Sequence, residues 1–270
     1  MKNKRGWLNF ILSFFFISVI SCNDFQKILN SKDNNLKYKA AETYYNNGEY
    51  RRANRLLEQI APSYRGKAQS ERIIFFFADS YLKTKNYYLA AYQFENFINS
   101  YPKSQKLEEA YFLEAKCYYF LSPQYSLDQD DTVTSLDKFQ IFINNYPNSE
   151  FSTEANILVS ELQTKLERKD YEISKQYFTI RDYKSAIKSL DNFIANHPGT
   201  TYREGALYYK FLSSYEIAIN SIITKQKERF EELIILHENI MRYYPETIYF
   251  EDLENKINIV NNALQNLKQT

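Results

Sequence analysis

Turn-forming residues are scarce in this 270-residue chain, which has 5 Gly and 6 Pro. A sandwich, a barrel or a doubly wound sheet with phosphate loops would need more of both. Histidine and cysteine are scarcer, at 2 each. His197, His237, Cys22 and Cys117 are too few and too scattered for a structural zinc site. His197 stands in an aromatic slot before Pro198 and reads as packing. Cys117 lies in the apolar run Ala115-Lys-Cys-Tyr-Tyr-Phe120 and reads as a small core residue, with a reactive thiol as the alternative. No Gly-x-Ser-x-Gly, P-loop or His-Glu-x-x-His sequence occurs. The acidic pairs Glu108-Glu109 and Asp130-Asp131 are adjacent, so on a helix they point apart and read as solvated or helix-N-terminal charges. Nothing calls for a metal, a cofactor or catalysis. The formal net charge is +1 with no block of like charge, which argues against nucleic acid as a partner.

What the chain does have is rings. Aromatics make up 17% of it, with 25 Tyr and 20 Phe, and they suit interfaces built from ring packing. The remainder, 44% hydrophobic and 25% charged overall, is ordinary globular composition.

The amino terminus has three parts. Lys2, Lys4 and Arg5 are followed by a mostly apolar run from Trp7 to Ile20, then by Ser21-Cys22. That is the layout of a secretory leader, and the run is short for a span, which needs about 20 apolar residues. A small residue before Cys resembles a bacterial lipobox. On this reading residues 1–21 are removed, Cys22 is lipidated and becomes the membrane anchor, and residues 22–33 form a tether. An uncleaved anchor helix and an ordinary leader with a chance Cys are the alternatives. Loss of the three basic leader residues takes the formal charge to about −2.

Two phrases recur through the rest. Aromatic-Pro-x-Ser/Thr reads Tyr101-Pro-Lys-Ser104, Tyr146-Pro-Asn-Ser149, His197-Pro-Gly-Thr200 and Tyr244-Pro-Glu-Thr247. Each follows an apolar run of helical period, such as Phe94, Phe97 and Ile98. Proline ends that helix and the hydroxyl offers a capping oxygen to the next. Thr201 with Glu204 also fits a capping box. The second phrase reads Asn47-Gly-Glu-Tyr50-Arg-Arg-Ala53, Lys85-Asn-Tyr87-Tyr-Leu-Ala90 and Arg181-Asp-Tyr183-Lys-Ser-Ala186. Small, aromatic, turn, aromatic, small is the pattern of the tetratricopeptide repeat, whose small residues let two helices approach closely and whose units stack because none buries its apolar face alone. The expected fold is all-α, a right-handed superhelical solenoid of about five helix pairs near 34–65, 68–102, 104–147, 150–198 and 200–245, with a capping helix near 247–268. Repeats 1–3 would occupy 34–147, and repeats 4–5 with the cap 148–268. No Gly or Pro lies between Ser149 and Pro198, so 150–180 reads as one long helix.

The lipobox, the five repeats and the loop Ser122-Pro-Gln-Tyr-Ser-Leu-Asp-Gln-Asp130 ahead of Phe139-x-x-Phe142-x-x-x-Tyr146-Pro147-x-Ser149 together resemble the BamD, or YfiO-type, family of outer-membrane assembly lipoproteins. The resemblance implies a lipid-anchored scaffold on the periplasmic face of the outer membrane. Its implied partners are the periplasmic domains of the β-barrel assembly protein, unfolded outer-membrane proteins and other assembly lipoproteins. A repeat scaffold for cell-wall synthesis or division, and one for glycan uptake, are the competing classes. For clients ending in an aromatic residue and a free carboxylate, the first helices of repeats 1–3 offer a groove. Counting from Ala41, Ala78 and Ala115, its candidate residues are Tyr38, Tyr45, Arg72, Phe75, Phe112, Lys116 and Tyr119. The rings would seat the aromatic residue and a cation would pair the carboxylate. The alternative is that the rings only pack neighbouring helices.

Overall fold

The computed structural model describes residues 24–269; the segment 1–21 expected to be a leader, and Cys22, lie outside the described residues. Among the described residues there are helices and turns and no strand. A short helical segment, 24–29, leads into α1 (Asn34–Asn46), α2 (Tyr50–Tyr64), α3 (Ser70–Lys83), α4 (Tyr87–Ser100), α5 (Leu107–Leu121) and α6 (Asp130–Asn145). Then follow α7 (Ser152–Thr179), α8 (Tyr183–Asn196), α9 (Arg203–Ile219), α10 (Ile223–Tyr243) and α11 (Phe250–Gln269). These are the tetratricopeptide-type helix pairs and the final helix that the two phrases predict. The long breaker-free segment is the 28-residue α7.

The chain forms two compact units. One comprises the residues up to 123 together with 128–159; the other comprises 124–127 and the residues from 160 onward. In the first unit Ala41, Ala53, Leu56 and Ile60 form the core of the first pair, and Ala78, Ala90, Phe94 and Phe97 that of the second. In the second unit Tyr171, Leu190, Phe193 and Ala206 form one core and Phe211, Leu233, Leu253 and Val260 another.

The aromatic-Pro phrase builds one turn four times. The amide of its aromatic residue donates to a carbonyl four residues back, Tyr101 to Phe97, Tyr146 to Phe142, His197 to Phe193 and Tyr244 to Ile240, at 2.8–3.0 Å. The Ser or Thr oxygen then accepts from the amide two residues on, at Lys106, Phe151, Tyr202 and Tyr249. The hydroxyl thus closes the turn just ahead of the helix instead of occupying the cap position itself. The expected capping box does not form. Thr200 makes this turn, and the Glu204 carboxylate instead accepts from the Thr247 hydroxyl at 2.5 Å. A pairing with another repeat has outcompeted the local one.

The second phrase builds the turn inside three of the pairs. Gly48, Lys85 and Arg181, each two residues before the phrase's Tyr, have φ of 77°, 63° and 64°. Their amides donate to Tyr45, Leu82 and Phe178, and the next amides to Tyr44, Tyr81 and Tyr177. This is the left-handed C-terminal stop that satisfies orphan carbonyls of the preceding helix. Only one of the three positions carries the residue that adopts this φ without strain.

Ala41, Ala53, Ala78, Ala90, Ala115, Ala186 and Ala206 are all fully buried, as the register requires. Ala90→Phe would push a ring into the approach of α3 and α4. It is expected to cost about 1–3 kcal/mol or more, measured by circular dichroism melting; an unchanged midpoint would mean that this register is wrong.

Candidate functional site

The first helices of the first three pairs, α1, α3 and α5, carry the seven groove candidates, and the structure divides them. Phe75 is 5% exposed and sits edge-on to Phe94 and Phe97, with ring centres 5.9 and 5.4 Å away. Phe112 is 2% exposed and stacks on Phe151 at 4.9 Å. Both rings are core, and neither offers a face to a client; for these two the packing alternative holds. Tyr38 is half-buried against Tyr64. Tyr119 lies edge-on to Phe120, which stacks on Tyr87. Lys116 pairs with Glu154 at 2.7 Å and sits 5.3 Å from the centre of the Phe112 ring.

Arg72 and Tyr45 come together around a residue outside the candidate set, Phe76. Tyr45 stacks on Phe76 with ring centres 3.9 Å apart and planes 8° from parallel. The Arg72 guanidinium lies 5.1 Å from the centre of the same ring and pairs with Glu42. The Tyr45 hydroxyl donates to the Asp79 carboxylate at 2.6 Å. Burial, the hydrogen bond to Asp79 and that carboxylate's charge together push the Tyr45 phenol up. Phe75, Phe76 and Phe77 are consecutive, and on a helix they point about 100° apart. Periodicity alone does not say which of three identical residues meets Tyr45.

The same clip recurs in the second unit. Tyr208 stacks on Tyr249 at 3.8 Å with planes 7° apart, and its hydroxyl donates to Asp252 at 2.9 Å. In both places a tyrosine of one helix meets a ring of a later helix or helix entry, Phe76 within α3 and Tyr249 just ahead of α11, and a carboxylate three residues after that ring. The clip is therefore part of how repeats stack, and Arg72 with Glu42 is what the first unit adds.

Asp79 is 5% exposed. Burial raises its carboxyl pKa, while the Tyr45 hydrogen bond and Lys83 pull the other way. The folded chain thus binds this proton more tightly than the unfolded one. The stability it contributes is complete below the unfolded value of 3.8 and is lost as pH rises through the folded value. Asp79→Asn keeps an acceptor for Tyr45 without the buried charge. It is expected to melt higher than the parent chain near pH 7 and equally near pH 3, in a pair of thermal scans. A lower midpoint near pH 7 would show that the charged pairing outweighs the desolvation.

Two further polar groups escaped sequence reasoning. Glu114 is 2% exposed and pairs with Lys138 at 2.5 Å, with Glu95 3.7 Å from the same ammonium. Its burial pushes the carboxyl up against the pull of Lys138. Such a pair is costly to break from one side, which fixes α5 against α6. The expected core residues behave as read. Cys117 is fully buried and burial raises its thiol pKa. His197 packs on Phe193 and places Nε2 3.1 Å from Asp170. The anchor candidate Cys22 lies outside the described residues.

No helix among the described residues is long and apolar enough to cross a membrane. A family model described as outer membrane lipoprotein matches residues 30–188 and 175–268. The outer membrane protein assembly factor BamD of Rickettsia prowazekii (strain Madrid E) is 25% identical over 193 residues, which cover 69% of this chain and 76% of that protein. The two matched segments run through every helix pair and nearly to the end of α11, and so this repeat chain belongs to the YfiO family of outer membrane lipoproteins.

Proposed function

We propose that this lipoprotein is a non-catalytic scaffold of outer-membrane β-barrel assembly, anchored through Cys22 on the periplasmic face. The observation that carries the reading is the family match across 30–268, joined to a relative whose name is assembly factor. The barrel-forming assembly protein binds the region of about 150–245. Ile173 and Tyr177 on α7, Ile180 just after it, and Ile222 and Ile223 beside the α9–α10 turn are exposed there and support an apolar contact. Other assembly lipoproteins join the same scaffold.

Unfolded clients meet the first unit at Tyr45, Arg72, Lys116 and Tyr119, with Tyr38 at the edge. Arg72 is about half exposed and held over Phe76, so a ring and a cation stand together. A client carboxylate must displace Glu42 from Arg72. The test is peptide binding to the acylated chain in detergent. A peptide ending in Phe should bind more tightly than its amidated form, and Arg72→Ala should erase most of the difference. Glu42→Gln should enlarge the difference by up to about fivefold, since an exposed pair is worth at most about 1 kcal/mol. Equal binding of acid and amide by the parent chain would rule out the carboxylate contact.

A further inference from the structure

Charge is segregated along the chain. Residues 24–106 hold 14 Lys and Arg against 8 Asp and Glu, and residues 107–270 hold 17 against 25. The near-neutral total conceals a cationic beginning and an acidic remainder. Within the cationic part, two left-handed turns stand side by side. Gly48 to Arg52 and Lys83 to Lys85 line one concavity of about 450 Å³. Arg51, Arg52, Lys83 and Lys85 supply four cations to it, and Glu49 is its one acid. Arg52 pairs with Glu49 at 2.5 Å. Arg51, Lys83 and Lys85 are exposed and form no ion pair among the described residues.

The chain enters the first pair at this same end. Phe25, in segment 24–29, is 7% exposed. It packs edge-on to Tyr44 at 5.6 Å, with the guanidinium of Arg52 5.5 Å from its ring centre. Tyr44 belongs to the turn, because its carbonyl accepts from the Glu49 amide at 2.8 Å. Cys22 is three residues ahead of Phe25, a reach of at most about 10 Å. An acyl anchor at Cys22 therefore holds the cationic concavity at the bilayer surface.

We infer that this concavity is a seat for phospholipid headgroups of the membrane that carries the anchor, and that it sets the orientation of the first two repeats on that membrane. The inference rests on the Cys22 anchor. Basic side chains near an anionic bilayer are attracted to it, and the attraction fades within a Debye length. Alone they bind weakly. Tethered by acyl chains, the contact becomes intramolecular, and a weak headgroup site is then occupied most of the time.

The test uses the full acylated chain in vesicles of phosphatidylcholine, with or without phosphatidylglycerol. Asn47→Cys, exposed beside Gly48, carries a fluorophore, and buried Cys117 does not compete for the label. A headgroup-linked nitroxide lipid reports approach by quenching. Quenching should be strong with phosphatidylglycerol, weak without it, and lost at high salt. Arg51→Glu should lower the seated-to-lifted ratio by more than fivefold, since each cation near the surface is worth about a factor of five. Lys85→Gly should lower it about fivefold, and it removes the cation at a φ that glycine prefers, so loss of folding does not account for the result. Equal quenching in the two lipid mixtures, or in parent and both variants, would overturn the seat. Relief of quenching by inorganic phosphate beyond that by chloride of equal ionic strength would also overturn it, as a site for free anions. Failure of the parent chain to float with vesicles would instead overturn the anchor, and the seat with it.

Discussion

Phe112→Ala is expected to lower the stability of the first unit by about 3–5 kcal/mol. The side chain is 2% exposed and surrounded by Phe139, Phe142 and Phe151, at centre distances of 6.1, 5.6 and 4.9 Å. Truncation leaves a void walled by rings that are themselves held by α6 and by the turn before α7. Such a void collapses poorly, so the cavity cost adds to the lost transfer free energy. Chemical denaturation followed by circular dichroism measures it. A loss below about 1 kcal/mol would mean that Phe112 faces an open groove, which is how the first-helix register read in isolation places it. Client binding, measured on the folded fraction, should change less than stability does.

Cys22→Ser is expected to abolish the lipid anchor. In the anchor proposed above the thiol takes a diacylglyceryl group as a thioether, and the new amino group is acylated after cleavage. A hydroxyl does not replace the thiol in that chemistry. Either the leader stays on as an unprocessed precursor or a soluble periplasmic chain is released. Several acyl chains hold a protein stably where one is marginal, so removing all of them leaves only weak surface attraction. Fractionation of membranes together with the mass of the amino-terminal peptide reads both outcomes. Normal retention with unchanged processing would show that the apolar run from Trp7 to Ile20 is a permanent anchor.

The helix pairs were legible because a small residue marks the helix contact in each, and proline after an aromatic residue marks the end of every pair but the first. Both marks report local sterics, which sequence carries directly. The 28-residue α7 was legible for the same reason, from a long interval without Gly or Pro. What was not legible depended on pairing between repeats. Thr201 and Glu204 have the spacing of a capping box, yet Glu204 is taken by Thr247, 43 positions on. Three consecutive phenylalanines gave no sign that Phe76 would meet Tyr45 and Arg72. The first-helix register places Phe75 and Phe112 in the candidate groove because it considers one helix face at a time, whereas both rings face their own second helices. The loop Ser122–Asp130 reads from sequence as an insertion, and its stretch Gln124–Leu127 belongs to the second unit. Its Tyr125 ring lies 4.1 Å from the Arg168 guanidinium, and the Leu127 carbonyl accepts from Lys169 at 2.6 Å, contacts that no spacing announces. The cationic concavity escaped because a net charge near zero hides a separation of signs along the chain.

The most direct test of the assembly role is purification of the full acylated chain from a detergent extract of membranes, with mass spectrometry of what comes with it. The account predicts an integral β-barrel protein with periplasmic domains in near-stoichiometric amount, lost when the exposed apolar residues of α7 are replaced by charged ones and kept when Arg72 is replaced by Ala. Recovery of cell-wall synthesis enzymes or a sugar transporter in that position, with no β-barrel partner, would contradict it.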